Sequence, residues 1–338
     1  MPAIKRLINY ALWALAGFAI ALIMLLYIQA ASGPELELWH TVDLDAEFTE
    51  KAADDIRTLE DYLQLEEVLF AQLDEAVYAH TPTGPDQVLM RYSPGSAADP
   101  RSRQPDWNRS FELGAANPAG GVLLLHGMSD SPYSLRAIGE TLNRQGFLVL
   151  GMRMPGHGTI PSGLTSVRWQ DMAAAVRIGM QHLSAAVGNK PVHIIGYSTG
   201  APLALDFALE AEQGRVAPVP ASLVLVSPAI GVSPAAAMAK WIIRMSFLPG
   251  LERLAWLNIQ PEFDPYKYNS FTTNAGYQVH RLTRSVAGRI AARAGKSPKE
   301  VLPPILVFKS TVDATVSTDA VVDRLLKQLT HHRHELVL

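Results

Sequence analysis

Short, continuous apolar runs alternate with helix-like stretches from about residue 110 to the end of the chain. Strands that are apolar throughout are typical of a sheet covered on both faces, so the alternation predicts an α/β fold with a mostly parallel sheet and helices on both of its faces. The predicted strands are GGVLLLHG (120–127), FLVLGMR (147–153), PVHIIGYS (191–198), ASLVLVSPAI (221–230), PPILVFKS (303–310) and HELVL (334–338). The predicted helices are SLRAIGETLNRQG (134–146), VRWQDMAAAVRIGMQHL (167–183), APLALDFALEAE (201–212) and TDAVVDRLLKQL (318–329).

The N-terminus carries a long apolar stretch from Leu7 to Ile28, in which Asn9 is the one clearly polar residue. As a helix rising about 1.5 Å per residue it would span roughly 33 Å, enough to cross a hydrocarbon core of about 30 Å. Lys5 and Arg6 precede it and acidic residues follow it, which predicts a cytoplasmic N-terminus and a periplasmic or other extracytoplasmic location for the rest of the chain. A cleaved signal peptide is the alternative, because small residues follow at 30–32.

The chain therefore divides into three predicted parts. Residues 1–32 form a cytoplasmic tip and a transmembrane anchor. Residues 33–110 are acidic and then loop-like, with apolar residues such as Ile56, Leu59 and Leu63 at helical intervals, and are predicted to form a helical stalk or docking arm followed by a loop. Residues 111–338 form the α/β domain.

Residues 231–295 interrupt the alternation of strands and helices. They include AAAMAKWIIRMSFLPGLERLAWL, which is amphipathic and rich in large apolar side chains. The block could be additional helical packing, but its position between two sheet strands favours a lid over a binding site.

The composition excludes several kinds of function. The formal net charge is −3 and there is no long basic run, so nucleic acid is not an expected partner. The chain has no cysteine, which rules out disulfides, a thiol nucleophile and cysteine-ligated metals. No dinucleotide-binding glycine motif follows the first strand and no metal-ligand set is apparent, so no cofactor and no metal is expected.

The pentapeptide GYSTG (196–200) follows a predicted central strand directly. Glycine and serine are ordinary turn residues, and the pattern alone is weak. At the end of a buried strand, however, G-x-S-x-G is typical of a nucleophile elbow, a strained strand-to-helix turn that exposes a serine hydroxyl. Open α/β sheets bind their ligands at this carboxyl edge.

Four motifs in order resemble the α/β-hydrolases: LLLHGMSDSP (123–132), RMPGHGT (153–159), GYSTG, and VFKSTVDATVS (307–317). The resemblance covers about residues 115–338 and is strongest to the monoacylglycerol lipase, lysophospholipase and carboxylesterase branch, including membrane-tethered bacterial proteins. It implies Ser198 as the nucleophile, the N–H groups of Thr199 and Met128 as oxyanion donors, and Asp313 as the acid of a triad. His126 and His157 are expected to shape loops. The implied substrate is a small-molecule or lipid ester, such as a monoacylglycerol or lysophospholipid.

The catalytic base does not fit this resemblance. In the family a histidine follows the last strand, whereas His331, His332 and His334 precede ELVL and are expected at the opposite end of the sheet. One hypothesis places the base in a segment C-terminal to Leu338. A divergent base such as His334, and a non-catalytic membrane-tethered binding protein, are alternatives. A peptidase or amidase on the same scaffold also stays open, because fold does not determine substrate.

Overall fold

The computed structural model of the protein describes residues 2–231, 239–292, 302–312, 318–328 and 333–338. Within these residues the strands are β1 (Phe111–Leu113), β2 (Gly121–Leu125), β3 (Leu148–Met152), β4 (Val192–Tyr197), β5 (Ser222–Val226), β6 (Trp256–Asn258), β7 (Phe271–Thr272), β8 (Ile305–Phe308) and β9 (Glu335–Val337). Seven of them form one sheet in the order β1-β3-β2-β4-β5-β8-β9, and the two short strands β6 and β7 form a separate hairpin.

The sheet is parallel except at one edge. Strand β4 lies at the centre, and β2 is its neighbour, with Leu123 opposite Leu150 of β3 on one side and Ile194 of β4 on the other. Strand β1 pairs antiparallel with β3 and was not predicted from the sequence, because it has only three residues and its side chains are partly exposed. The prediction of a mostly parallel sheet is confirmed.

Ten α-helices are described, and several of them cover the two faces of the sheet. Alternate residues of β2 enter different apolar clusters: Leu123 and Leu125 lie in one, and Val122 and Leu124 in the other. The sheet is therefore buried on both faces, as the continuous apolar runs predict. The helices are α1 (Pro2–Ala31), α2 (Leu38–Thr41), α3 (Leu59–Ala76), α4 (Arg136–Arg144), α5 (Gly163–Ser166), α6 (Trp169–Val187), α7 (Gly200–Glu212), α8 (Ala239–Met245), α9 (Thr273–Ala291) and α10 (Thr318–Arg324).

The described part of residues 231–295 contains elements that pack on the core and elements that expose apolar side chains. Helix α9 buries Ala275, Val279, Leu282 and Val286, which share one helical face and join the main apolar core. Helix α8 and hairpin strand β6 instead expose large apolar side chains. An amphipathic helix can cover either a site or a core, and α9 covers the core. We therefore restrict the lid interpretation to the described residues 239–258.

Residues 38–110 pack against the α/β domain rather than projecting from it. Phe48, Leu59 and Tyr62 belong to the main apolar core. The fully buried guanidinium of Arg153, next to β3, binds the carboxylates of both Glu47 and Glu66 at 3.0 Å. Residues 38–110 are therefore attached to the α/β domain by apolar contacts and by buried charge, and are called the docking arm below.

Helix α1 contains a segment, Ile4–Leu25, that is long and apolar enough to cross a membrane, with a mean hydropathy of 2.0 and none of the segment buried. A signal sequence near an N-terminus has the same properties. The C-terminal part of α1 lies near the predicted lid, where the ring of Tyr27 lies next to Gly250.

Candidate active site

Ser198 lies between the end of β4 and the start of α7, at a tight strand-to-helix turn. Its φ of 51° is in the left-handed region that non-glycine residues rarely adopt. The backbone N–H of Ser198 donates to Val226 O at 2.9 Å, and its carbonyl accepts from the N–H of Ala229 at 3.1 Å. These bonds hold the turn against the residues around the end of β5. Ser198 thus lies on a strained strand-to-helix turn, and its side chain is partly exposed.

The two glycines of GYSTG are required by close backbone contacts. A Cβ atom on Gly196 would lie 2.4 Å from Gly200 O, and a Cβ on Gly200 would lie 2.1 Å from Leu125 O. Any side chain at either position would therefore force strand and helix apart. The glycine spacing is a consequence of how closely β4, α7 and β2 approach one another.

The loop after β2 passes directly beside Ser198. A Cβ on Gly127 would lie 3.1 Å from Ser198 Cβ and 2.6 Å from Asp130 Oδ2. The carboxylate of Asp130 is therefore a close neighbour of the serine. Sequence analysis missed this residue, because a single aspartate in HGMSDSP carries no signal that distinguishes it from a turn residue.

The peptide between Gly127 and Met128, called here the oxyanion peptide, is oriented by two hydrogen bonds. Its carbonyl, Gly127 O, accepts from His126 Nδ1–H at 2.9 Å and from the N–H of Asp130 at 3.2 Å. Because a trans peptide is planar, the N–H of Met128 points opposite to this carbonyl. The direction of the predicted oxyanion donor is thus determined by the groups that bind the carbonyl.

Thr199, the other predicted oxyanion donor, is buried and occupies the N-cap position of α7. The first N–H groups of a helix have no partner inside the helix, and the helix dipole favours negative charge at this end. The structure therefore brings Ser198, Met128 and Thr199 to the same edge of the sheet.

Three serines share the left-handed conformation: Ser129 (φ 67°), Ser198 (φ 51°) and Ser227 (φ 42°). In the described part of the chain they are the only non-glycine residues with positive φ. They follow β2, β4 and β5, so all three lie at the carboxyl edge of the sheet. Such conformations cost about 1–3 kcal/mol each and concentrate at functional sites.

His126 and His157 are buried and shape the loops around the site. His126 Nε2 accepts the N–H of Met154 at 3.0 Å, which leaves the proton on Nδ1, where it binds Gly127 O. Burial holds the pKa of His126 well below its usual range, and it lowers the pKa of His157 to about 4. Both rings are therefore neutral at physiological pH, and both nitrogens of His126 are already engaged.

The remaining described histidines lie elsewhere. His334 Nδ1 accepts the N–H of Ile305, the first residue of β8, and so lies at the amino end of the sheet, as predicted. His193 contacts Ser222 near the amino ends of β4 and β5, His182 pairs with Glu112, and His280 is buried on α9.

The predicted acid Asp313 and residues His331 and His332 lie outside the described residues. In the part of the chain that the structure describes, no hydrogen bond joins a histidine ring to Ser198 Oγ, and the one ring nitrogen of His157 that does not bind Pro155 O has no partner.

A cavity of about 450 Å³ lies between the docking arm, α5 and α8. Its lining combines apolar side chains, among them Ile243, Phe247 and Trp256, with polar groups such as Ser162 and Asn274. Ser198 is not part of that lining. In the described part of the chain no cluster of three or more potential metal ligands occurs.

Comparison with known proteins identifies the family. The model of the family described as serine aminopeptidase, S33 (Hydrolase_4), matches residues 116–338. The chain belongs to this family. The resemblance to α/β-hydrolases predicted from the sequence motifs is confirmed.

Individual relatives of this S33 hydrolase are lipolytic enzymes. Over 94 residues the chain is 32% identical to a thermostable monoacylglycerol lipase from Bacillus sp. (strain H-257), a match that covers 28% of this chain and only 37% of that lipase. The monoacylglycerol lipase of Paleococcus ferrophilus shares 19% identity and a TM-score of 0.51 over 68% of this chain and 86% of that chain. A metagenome-derived lipolytic enzyme of the LipS and LipT pair gives 20% identity and a TM-score of 0.53 over the same shares. At these identities the two solved structures show the shared fold.

Proposed function

We propose that this S33 hydrolase cleaves carboxylic esters with apolar acyl groups through an acyl-enzyme on Ser198. The observation that carries the proposal is the position of Ser198, partly exposed on a strained turn, with the oxyanion peptide beside it and the N-terminus of α7 behind it. The partial match to a monoacylglycerol lipase supports an ester substrate, such as a monoacylglycerol or lysophospholipid.

The geometry supplies the electrostatic part of the reaction. Ser198 Oγ attacks the acyl carbonyl carbon, and the carbonyl oxygen becomes negatively charged as the tetrahedral intermediate forms. The N–H groups of Met128 and Thr199 donate to that oxygen, each contributing on the order of 3 kcal/mol to the transition state. Collapse of the intermediate releases the alcohol and leaves the acyl group on Ser198, from which water then removes it.

Proton transfer requires a base, and the assignment of that part stays a prediction. Asp313 is proposed as the acid that orients the base. His126 is a poor candidate for the base, because one nitrogen binds Met154 and the other binds Gly127. The hypothesis of a base C-terminal to Leu338 is tested by comparing the turnover of this chain with that of any natural extension of its reading frame.

We further propose that α1 anchors the enzyme with its N-terminus in the cytoplasm and that residues 239–258 face the bilayer as a lid. Trp241, Phe247 and Leu257 are exposed, and Phe247 exposes 81% of its surface. Lys240 and Arg244 lie on the same helix as Trp241. Positively charged side chains at a membrane surface are attracted to the phosphate groups of lipids. The contact of Tyr27 with Gly250 brings this apolar face to the end of the proposed anchor.

A fluorophosphonate probe and an ester panel test the catalytic proposal. The wild-type chain should be labelled and should hydrolyse p-nitrophenyl esters faster with medium or long acyl chains than with acetyl. Ser198→Ala should lose all labelling and at least about 10³-fold in turnover. Faster cleavage of aminoacyl nitroanilides would indicate a peptidase or amidase. A folded wild type that is unlabelled, and stays unlabelled when any natural extension of the reading frame is added, would indicate a binding protein.

Extraction of membranes with alkaline carbonate tests the anchor. The full-length chain should stay in the pellet, and a chain beginning at Gly33 should be released. Recovery of a mature N-terminus near Ala31 would instead identify a cleaved signal peptide.

A further inference from the structure

The loop after β2 is held by a distant segment, residues 264–268, through three contacts of different kinds. The N–H of Tyr268 donates to Ser129 O at 2.8 Å. Lys267 Nζ lies 3.7 Å from Asp130 Oδ1. The ring of Tyr266 stacks on that of Tyr133, with centroids 3.8 Å apart and an interplanar angle of 9°. A backbone bond, an ion pair and a ring stack therefore join the same two segments.

The segment 264–268 is itself firmly placed. Asp264 Oδ1 accepts the N–H groups of Tyr266 and Lys267 at 2.8 and 3.1 Å, which closes a tight turn. The hydroxyl of Tyr268 accepts the N–H of Thr159 at 2.9 Å and donates to Gly156 O at 3.2 Å. Tyr268 is buried, so its backbone N–H is presented to Ser129 from a fixed position.

These contacts reach the oxyanion peptide through its immediate neighbours. Ser129 holds a left-handed conformation, which the chain adopts only when its surroundings compensate for the strain. The N–H of Asp130 is one of the two donors to Gly127 O, the carbonyl that sets the direction of the Met128 N–H. The contacts to Ser129 and Asp130 thus restrain the residues on which that direction depends.

We propose that residues 264–268 form a clamp that positions the oxyanion peptide for catalysis. This inference rests on the proposed function, because it concerns the donor assigned to the oxyanion. The clamp residues do not touch the reacting atoms. They act through Ser129, Asp130 and Tyr133, and are positioning residues. A displacement of a donor by about 1 Å can cost on the order of 10²-fold in rate, so loss of the clamp should lower kcat.

The test uses the full chain in detergent micelles with four variants. Tyr266→Ala removes the stacked ring, and Tyr266→Phe keeps it. Lys267→Met removes a cation whose side chain is 54% exposed, so this variant should fold even if Tyr266→Ala does not. Tyr277→Ala, on α9, removes a ring that contacts Arg281 rather than the loop and serves as the matched control.

We expect Tyr266→Ala to lower kcat about tenfold or more and Lys267→Met to lower it severalfold, each with KM within about threefold of wild type. Affinity for a trifluoromethyl ketone, whose adduct with a serine carries an oxyanion, should fall by the same factor as kcat. Tyr266→Phe and Tyr277→Ala should retain wild-type values. Equal losses in Tyr266→Ala and Tyr266→Phe, or a loss of kcat without loss of ketone affinity, would overturn the clamp.

Amide hydrogen exchange separates failure of the clamp from failure of the proposed function. In Tyr266→Ala and Lys267→Met, peptides covering residues 124–135 should exchange faster, while peptides from α9 should not change. A wild type that shows this exchange pattern but is inactive, both as this chain and with any natural extension of its reading frame, would refute ester hydrolysis and leave the clamp supported. Unchanged exchange in both variants would refute the clamp, whatever the activity.

Discussion

The elbow around Ser198 and the attachment of the docking arm around Arg153 are both compact and buried, but they are built in different ways. The elbow depends on backbone contacts: no side chain fits at Gly196, which lies against Gly200, or at Gly200, which lies against Leu125. The arm depends on side-chain charge: Arg153 binds Glu66, 87 residues away, and Glu47, 106 residues away.

The two regions are therefore destabilised by different kinds of substitution. A backbone-built turn tolerates side-chain changes that keep its conformation, and it fails when an atom is added. A buried ion pair instead fails when one partner is removed, because the other charge is left without compensation. The loop 153–159, which includes His157, connects the arm to the loop that passes beside Ser198: Arg153 binds Glu47 in the arm, and Met154 binds His126 after β2.

The largest expected effect is the loss of Arg153. Arg153→Met should lower the free energy of unfolding by about 3–5 kcal/mol, because Glu66 would stay buried without its cation. Lys327→Met is the control, since Lys327 and its partner Asp323 expose 67% and 58% of their side chains, and it should cost about 0–1 kcal/mol. Urea unfolding of both variants in detergent measures the difference. Equal costs would show that the arm is not anchored by buried charge.

The free energy of unfolding should depend on pH through His157, in the loop 153–159. Burial lowers the pKa of His157 to about 4, below the unfolded value of about 6.5. Between these values the unfolded chain binds a proton that the folded chain does not, so stability falls as pH falls from 6.5 to 4. One such group contributes up to about 1.4 kcal/mol per pH unit.

His157→Asn should make this slope shallower by up to that amount while keeping a donor to Pro155 O. The comparison with wild type is needed because other groups titrate nearby: burial also lowers the pKa of His40, and it raises the pKa of Glu66 and Glu262. Denaturant unfolding at several pH values between 4 and 7 gives both slopes. An unchanged slope would mean that His157 takes up its proton without unfolding.

The sequence predicted the elbow well and the arm attachment poorly, for a physical reason. The strand before Ser198 and the close approach of Gly196 to Gly200 are local constraints, and these leave a pattern in consecutive residues. The contact of Gly200 with Leu125 is distant in sequence, but it too requires a glycine within the motif. The partners of Arg153 are chosen by the fold, and nothing in RMPGHGT indicates which of the acidic residues in the arm reach it. The same limit applies to Asp130 and to residues 264–268, whose contacts join distant parts of the chain.

Helix α9 shows a different limit. Its apolar residues recur at helical spacing, and that spacing predicts an amphipathic helix correctly. The periodicity indicates that one face of the helix is buried, but it does not indicate whether that face packs on the core or covers a substrate site. The choice between lid and core for residues 231–295 therefore depended on tertiary packing, which assigns α9 to the core.

The smallest expected effect concerns Ser198 itself and has the opposite sign. A serine at φ 51° is strained, whereas glycine adopts this region readily, so Ser198→Gly should raise the free energy of unfolding by about 1 kcal/mol while abolishing fluorophosphonate labelling. Gly200→Ala, two residues away, should instead lower it by about 3 kcal/mol, because the added methyl would meet Leu125 O. Urea unfolding of the two variants beside wild type measures both changes.

A stabilised Ser198→Gly together with a destabilised Gly200→Ala would show that the turn stores strain at the reactive serine and depends on close packing around it. A destabilised Ser198→Gly would show instead that the serine side chain contributes more to the fold than its conformation costs, and that the elbow is held by side-chain contacts as the arm is.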